Sequence, residues 1–260
     1  ALSALADKLP ELLPEALNAA RAIQDERERI SALRALADKL PEVLPEALNA
    51  ARAIQDEYFR ASALRALADK LPEVLPEALN AASRAIQDEY SRASALNALA
   101  DKLPEVLPEA LNAARAIQDE YFRASALNAL ADRLPPQLLP EALTTAREIR
   151  SEKYRVDALS ALADKLPPQL LPEVLKASRE IQSKEYRALA LSALASGLSK
   201  IPNAKLFSLW QDTLDELSVR TRPNLLQDIN ALFPVIFALG GEVATEEVAR
   251  AIIDMGRWWK

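Results

Sequence analysis

The chain has 260 residues, with 32 Lys and Arg against 38 Asp and Glu and neither His nor Cys, for a formal net charge of −6. Without imidazole or thiol, Ser-His-Asp and Cys-His nucleophile systems, Cys/His zinc sites, disulfide frameworks and His-ligated haem lack their parts. The acidic balance gives no global footprint for phosphate backbones, and no apolar run approaches the roughly 20 residues of a membrane span.

In chain order, the first feature is a start inside a pattern. Ala1 aligns with Ala32, in the middle of a helix, so the chain reads as part of a longer polypeptide. The string ALADKLP then ends at Pro10, Pro41, Pro72 and Pro104, returns as ALADRLP at Pro135 and ALADKLP at Pro167, and fades into ALASGL at Leu198. The spacings are 31 or 32 residues, and 36–66 differs from 99–129 only where Arg65 becomes Asn128. Such near-copies are a tandem array.

Within 107–134, Leu107, Ala110, Leu111, Ala114 and Ile117 fall on one helical stripe, and Ala124, Leu127, Leu130, Ala131 and Leu134 on another. In one uninterrupted helix Leu127 would point about 140° away from Ala114, so the chain must break near 118–122. Asp119 is placed to cap the second helix with Glu120 in its first turn, and Pro108 suits the first turn of the helix before it. The second helix must end ahead of the next proline. Each unit is thus a helix of about 11 residues, an Asp-centred turn, a helix of about 14 and a proline-bounded linker. Neither helix hides its stripe alone. The expected fold is all-α: an α-solenoid of stacked antiparallel helix hairpins over 1–198, closed by a non-repeating helical cap over 199–260.

Ser83 is an extra residue inside 80–87, where other early units read NAARAIQ, and it predicts a π-type bulge or a distorted helix end. The PPQLLP stretches at 135–140 and 167–172 add their residue in the linker, where it is harmless. Beyond 199 the pattern predicts helices over 202–219, 223–239 with a kink at Pro234, and 243–254, with Gly240-Gly241 ending the second by left-handed termination. Leu206, Leu209, Trp210, Leu214 and Leu217 supply the first apolar face, and Trp210, Trp258 and Trp259 are positioned to cover the end of the repeat core.

Several polar and aromatic rows are candidates for function. Arg29, Arg60, Arg92, Arg123, Arg155 and Arg187 lie towards the buried side, and read as a structural ladder tied to an acid such as Asp119 or Asp132 or to helix-end carbonyls; the alternative is an anion groove. Arg21, Arg52, Arg84, Arg115, Arg147 and Arg179 read as solvated surface paired with acids. Tyr58, Tyr90, Tyr121, Tyr154 and Tyr186, one per unit, read as rings packed between hairpins with a wet hydroxyl, or as a peptide-binding ladder. Phe59 and Phe122 face outward and, if exposed, mark a contact surface. The near-copies diverge at Arg34, Arg65, Asn97, Asn128, Ser160 and Ser192, and a second outward row is Asn18, Asn49, Asn80, Asn112, Thr144 and Lys176. Drift at exposed positions explains both; a bound partner would sit there. The pairs Asp25-Glu26, Asp56-Glu57, Asp88-Glu89 and Asp119-Glu120 are explained by helix starts without acid-base chemistry. No Gly-rich phosphate loop occurs. The final GRWWK is expected to pack in the cap, with a membrane interface as its alternative.

The hairpins resemble short HEAT-like or tetratricopeptide-like repeats. The pattern AL-x2-A-x2-I-x-D over 110–119, followed by RA-x-AL-x2-LA over 123–131, is similar to repeat tracts of bacterial STAND-type signalling NTPases. The tail, with Leu209-Trp210, LFPVIFAL over 232–239, Gly240-Gly241 and the final GRWW, resembles the segment that closes such proteins, notably cyanobacterial ones. The resemblance implies a sensor or partner-docking region, with nucleotide hydrolysis in an upstream P-loop domain that has no match here. The resulting expectation is a non-enzymatic, cytoplasmic scaffold that binds protein or peptide, without cofactor, metal, nucleic acid or membrane, and with upstream domains of the same polypeptide as further partners. The candidate contact residues are Tyr58, Phe59, Arg65, Tyr90, Asn97, Tyr121, Phe122, Asn128 and Tyr154. The competing expectation is a spacer or oligomerisation rod, or an engineered near-consensus array, without a single natural ligand. A repeat-type lyase is disfavoured because no reactive constellation recurs.

Overall fold

The computed structural model describes residues 13–37 and 41–258. Every regular element within them is helical, and helices pack on their neighbours in sequence as an α-solenoid. The chain divides into two compact units, Ala1–Ile117 and Gln118–Lys260. The start at Ala1, the early prolines and the side chains of the terminal GRWWK lie outside the described residues.

The first unit contains α1 (Leu13–Ala22), α2 (Glu26–Ala37), α3 (Leu44–Ala53), α4 (Glu57–Leu67), α5 (Leu75–Asn80), α6 (Glu89–Leu99) and α7 (Leu107–Ala116). First helices are held by alanine: Ala47 and Ala51 of α3 are fully buried, and such small side chains let helix axes approach closely. Second helices contribute leucine, with Leu64 and Leu67 of α4 and Leu96 of α6 sealed from solvent. Burying each such leucine contributes roughly 1.5–3 kcal/mol. α2 packs on α3 and α4, and α4 packs on α5 and α6, so each apolar stripe is covered by the next hairpin.

The turns are built by the residues at the break of phase. Asp56 has extended backbone angles and its carboxylate accepts from the Phe59 amide at 2.9 Å; Asp25 does the same for Glu28 at 2.9 Å and Asp88 for Ser91 at 2.6 Å. These bonds satisfy amides that the first helical turn leaves without partners. The linkers are more ordered than plain connectors: Pro41–Val43, Pro72–Val74 and Pro104–Val106 are single 3-10 turns. Proline suits their first position because its missing N–H is not needed there, and Val43, Val74 and Val106 are buried as anchors.

The inserted Ser83 is absorbed in a π-helix, Ala81–Ala85, that takes over from α5. The wider turn accommodates one residue without rotating the downstream chain, and Ile86 remains buried like Ile54. The Ser83 hydroxyl is enclosed there with no hydrogen-bond partner among the described residues.

The second unit contains α8 (Glu120–Ala131), α9 (Leu139–Arg147), α10 (Glu152–Ala163), α11 (Leu171–Arg179), α12 (Lys184–Leu198), α13 (Asn203–Ser218), α14 (Arg222–Ala231) and α15 (Phe233–Trp258). α8, α10, α12 and α14 follow one another in contact. The PPQLLP linkers form short turns closed by bonds from Leu138 N–H to Pro135 O and from Leu170 N–H to Pro167 O, both 2.9 Å.

The last segment differs from the expectation of a helix over 223–239 kinked at Pro234. α14 stops at Ala231, the chain turns at Leu232, and Pro234 sits in the first turn of α15. A proline inside a helix forfeits a backbone bond and collides with the preceding turn, whereas near a helix start it does neither. Gly240-Gly241 ends the helix that starts at Phe233, as the sequence suggests: both glycines have non-helical angles, and α15 is two helices joined across this kink. Gly241 adopts φ 59°, ψ −144°, a region closed to other residues and distinct from ordinary left-handed termination, and helix resumes directly beyond it. No single helix among the described residues is long and apolar enough to cross a membrane.

Candidate functional site

The Arg row occupies one recurring place. The guanidiniums of Arg29, Arg60, Arg92, Arg155 and Arg187 each donate to the carbonyl of the isoleucine six residues earlier, at 3.2, 2.8, 3.4, 3.2 and 2.9 Å. That carbonyl closes the first helix of the hairpin, where the dipole favours a cation. Of the two tethers read from the sequence, the carbonyl recurs in all five, and an acid is added at Arg60 (Glu57, 4.0 Å), Arg155 (Glu152, 3.9 Å) and Arg187; Asp119 instead caps the Phe122 amide at 3.0 Å and Asp132 pairs with Lys165 at 3.0 Å. The arginines lie at half-buried positions, except Arg187, which is completely buried and donates through Nε to Asp228 at 2.7 Å.

The flanking arginines connect successive hairpins. Arg21 grips Glu46 and Arg52 grips Glu77, each through Nε and Nη2 with closest approaches of 2.9 Å, and Arg147 pairs with Glu173. Arg179, at the end of the series, reaches Glu216 of the cap at 3.0 Å and Thr213 at 3.2 Å.

Two glutamates that open second helices, Glu120 beside Asp119 and Glu152 beside Ser151, have a task that helix dipoles alone do not predict. Glu120 accepts from the backbone amides of Arg150 and Ser151 at 2.8 and 2.9 Å, and Glu152 accepts from those of Gln182 and Ser183 at 2.7 and 3.0 Å. The carboxylate of one hairpin thus fills the turn of the next. The Arg150 and Ser151 amides hold Glu120 below the usual carboxylate range; burial pushes Glu152 upward, and the Gln182 and Ser183 amides outweigh it to give a net lowering.

The aromatic residues are not one ladder. Tyr58, Tyr90 and Tyr121 precede the row arginine by two positions, whereas Phe59, Phe122, Tyr154 and Tyr186 precede it by one, about 100° around the helix. Tyr121 is 55% exposed and Phe122 39%. Tyr121 contacts Phe122 at 5.2 Å between ring centres and Tyr154 edge-on at 5.6 Å, so three candidate contact residues form one cluster on α8 and α10. Tyr90 is exposed, Tyr58 is half-buried edge-on to Phe59 at 5.4 Å, and Tyr186 packs on Val156, Ile181 and Ala190.

Phe59 also lines an open groove of about 170 Å³ between α2 and α4. Its other walls include Ile30, Ile54, Ala66, Ser62 and Arg34, so one aromatic ring and one diverging cation share a small apolar trough. Sequence spacing alone does not single out Ile30, Ser62 and Ala66: a groove between two helices has no signature in either helix by itself. Arg65 and Asn97 are half-buried, and Asn128, although exposed, donates its amide to the carbonyls of Ala124 at 3.2 Å and Asp157 at 3.3 Å when its nitrogen faces them. Asn18, Asn49, Asn80, Asn112, Thr144 and Lys176 are all exposed. Among the described residues, no group of three or more Asp, Glu, His or Cys is arranged to hold a metal ion.

No protein-family model matches the chain, and no curated protein matches it. A solved chain described as "Computational Design of Self-Assembling Cyclic Protein Homooligomers" is 17% identical, covering 96% of this chain and 95% of its own, with a TM-score of 0.24. A TM-score of that size carries no argument about fold or function.

Proposed function

We propose that this chain is a non-catalytic scaffold that binds a protein or peptide segment on the outer side of its second helices. The observation that supports this reading best is the groove between α2 and α4, where the Phe59 ring and the Arg34 guanidinium stand together in an apolar trough. Such a site suits an extended or helical segment that inserts one apolar side chain and presents an acid to Arg34. The exposed Tyr121–Phe122–Tyr154 cluster offers a second contact of similar chemistry. The narrower reading, a partner-docking region of a bacterial signalling ATPase, rests on the sequence resemblance alone.

The test is selection of a displayed random-peptide library on the full chain, followed by affinity measurement on variants. Phe59→Ala and Arg34→Ala are expected to weaken selected peptides by about tenfold each while leaving thermal stability almost unchanged. If no peptide is enriched, or enriched peptides bind both variants as well as the parent, the rod or spacer reading replaces this one.

A further inference from the structure

The cap carries a second open groove, separate from the one above. Leu226, Ile229 and Phe233 form one wall, Val248, Ala249 and Ile252 form the other, Ile236 contributes apolar surface between them, and the volume is about 250 Å³. The second wall has the i, i+3, i+4, i+7 spacing of a helix stripe, Thr245, Val248, Ala249 and Ile252; the first is built by Leu226, Ile229 and Asn230 of α14 together with Phe233 from beyond the bend. α14 and the 233–254 helix meet at a bend of 78°, and the break at Gly240-Gly241 brings the 245–252 stretch opposite α14. Elsewhere in this unit such stripes are covered by the following helix; here the described residues leave the groove open, with Phe233 of its wall 46% exposed.

Acids outnumber bases along one wall of the groove: residues 242–254 carry Glu242, Glu246, Glu247 and Asp254 against Arg250. On the helix beyond Gly241, Glu242 and Glu246 flank the apolar stripe on one side, and both are exposed. Arg250 is engaged with Glu246 at 3.1 Å, which leaves Glu242 and Glu247 without a described cation beside them.

We propose that this groove is a docking site for a basic amphipathic helix of a partner protein. Two helical walls accept a third helix by side-chain interdigitation, the apolar face of the incoming helix covers the stripe, and its flanking lysines or arginines meet the acidic rim. The bent helix pair also has the length and composition of a broken membrane span. The same acids argue against lipid, because anionic leaflets repel them. A second copy of this chain brings the same acidic 242–254 stretch to the groove and is disfavoured for the same reason.

The experiment uses the full chain and a fluorescent Leu-Lys amphipathic helical peptide as probe, with a Leu-Glu peptide of the same pattern, phosphatidylglycerol vesicles and sedimentation of the chain alone in parallel. The Leu-Lys peptide is expected to bind at least about tenfold more tightly than the Leu-Glu peptide, with affinity falling as salt rises. Val248→Asp in the wall is expected to weaken it by about tenfold or more, and the exposed pair Glu242→Lys with Glu246→Lys to weaken it by a similar factor. The rim variant needs no change in the folded interior, so it remains decisive if Val248→Asp disturbs the cap. Phe59→Ala is expected to leave this affinity unchanged, which separates it from the site between α2 and α4. Equal binding of the two peptides, or Leu-Lys affinity indifferent to the rim variant, overturns the proposal. So does vesicle binding or self-association that Val248→Asp abolishes.

Discussion

Arg60 and Arg187 hold the same register in their hairpins and make the same bond to an isoleucine carbonyl, yet they sit in opposite electrostatic situations. The Arg60 side chain is 25% exposed and water shares its solvation, with Glu57 distant at 4.0 Å. Arg187 is fully buried beneath α14 and is neutralised by Asp228, itself fully buried, at 2.7 Å. Burial pushes the Asp228 carboxyl upward against the pull of Arg187, and it lowers Arg220 nearby, whose Nη2 donates to the Arg179 carbonyl at 2.6 Å. An arrangement that repeats cheaply at the surface therefore becomes, where the cap closes over it, a charge that must be matched.

The largest expected effect tests that contrast. Asp228→Asn leaves Arg187 buried without its counter-charge and is expected to cost about 3–5 kcal/mol in denaturant unfolding, against about 1–2 kcal/mol for Arg60→Ala. Replacing both Arg187 and Asp228 by Leu is expected to recover more than half of the Asp228→Asn loss. Equal costs at Asp228 and Arg60 would erase the distinction.

Next come the carboxylates that fill successive turns. Glu120→Gln and Glu152→Gln are each expected to cost about 1 kcal/mol near neutral pH, because one acceptor of two amides is replaced by a donor. Both carboxyls are held below their ordinary value in the fold. Their contribution is therefore complete above the unfolded value of about 4.3 and is lost as pH falls through the folded one. The parent should lose stability on acidification more steeply than the double Gln variant, as read from thermal midpoints across that range. Parallel curves would mean that these contacts contribute nothing to stability.

Ser83→Ala is expected to stabilise the first unit by about 1 kcal/mol, since it removes an enclosed hydroxyl with no described partner. Arg52→Ala is expected to give the smallest change, scarcely moving the unfolding midpoint despite its two-point grip on Glu77, because both side chains are substantially exposed. A much larger Arg52 effect, seen in the same unfolding assay, would mean that surface clasps carry the coupling attributed to buried stripes and turn carboxylates.

What the sequence made legible is what repeats. The change of phase around Asp119, the prolines at helix starts and the extra Ser83 each have a local cause that can be compared between near-copies, and the capped turns and the π-helix result from them. Glu120 is readable as a first-turn acid but not as the partner of Arg150 and Ser151, since that bond depends on how closely two hairpins approach. Asp228 lies in a segment without a second copy, so nothing in its surroundings marks it as the mate of Arg187. The break before Pro234 had the right signal, but proline's preference for a first turn decided its placement over a kinked continuous helix. For the candidate contact residues, spacing located Phe59, Tyr121 and Phe122, while the shared patch of Tyr121 with Tyr154 and the trough beside Arg34 emerge only when neighbouring helices are placed side by side.

The reach of the turn carboxylates is constant: Glu120 meets residues 150 and 151, and Glu152 meets 182 and 183. A bond with that fixed stride links each of these two modules to the one after it, without regard to its ordinal place. Excising or duplicating one whole module re-creates the same junction at the seam, while a cut of any other size strands a carboxylate. Recombination between the near-identical segments thus changes the length of the array in quanta that the fold already accepts.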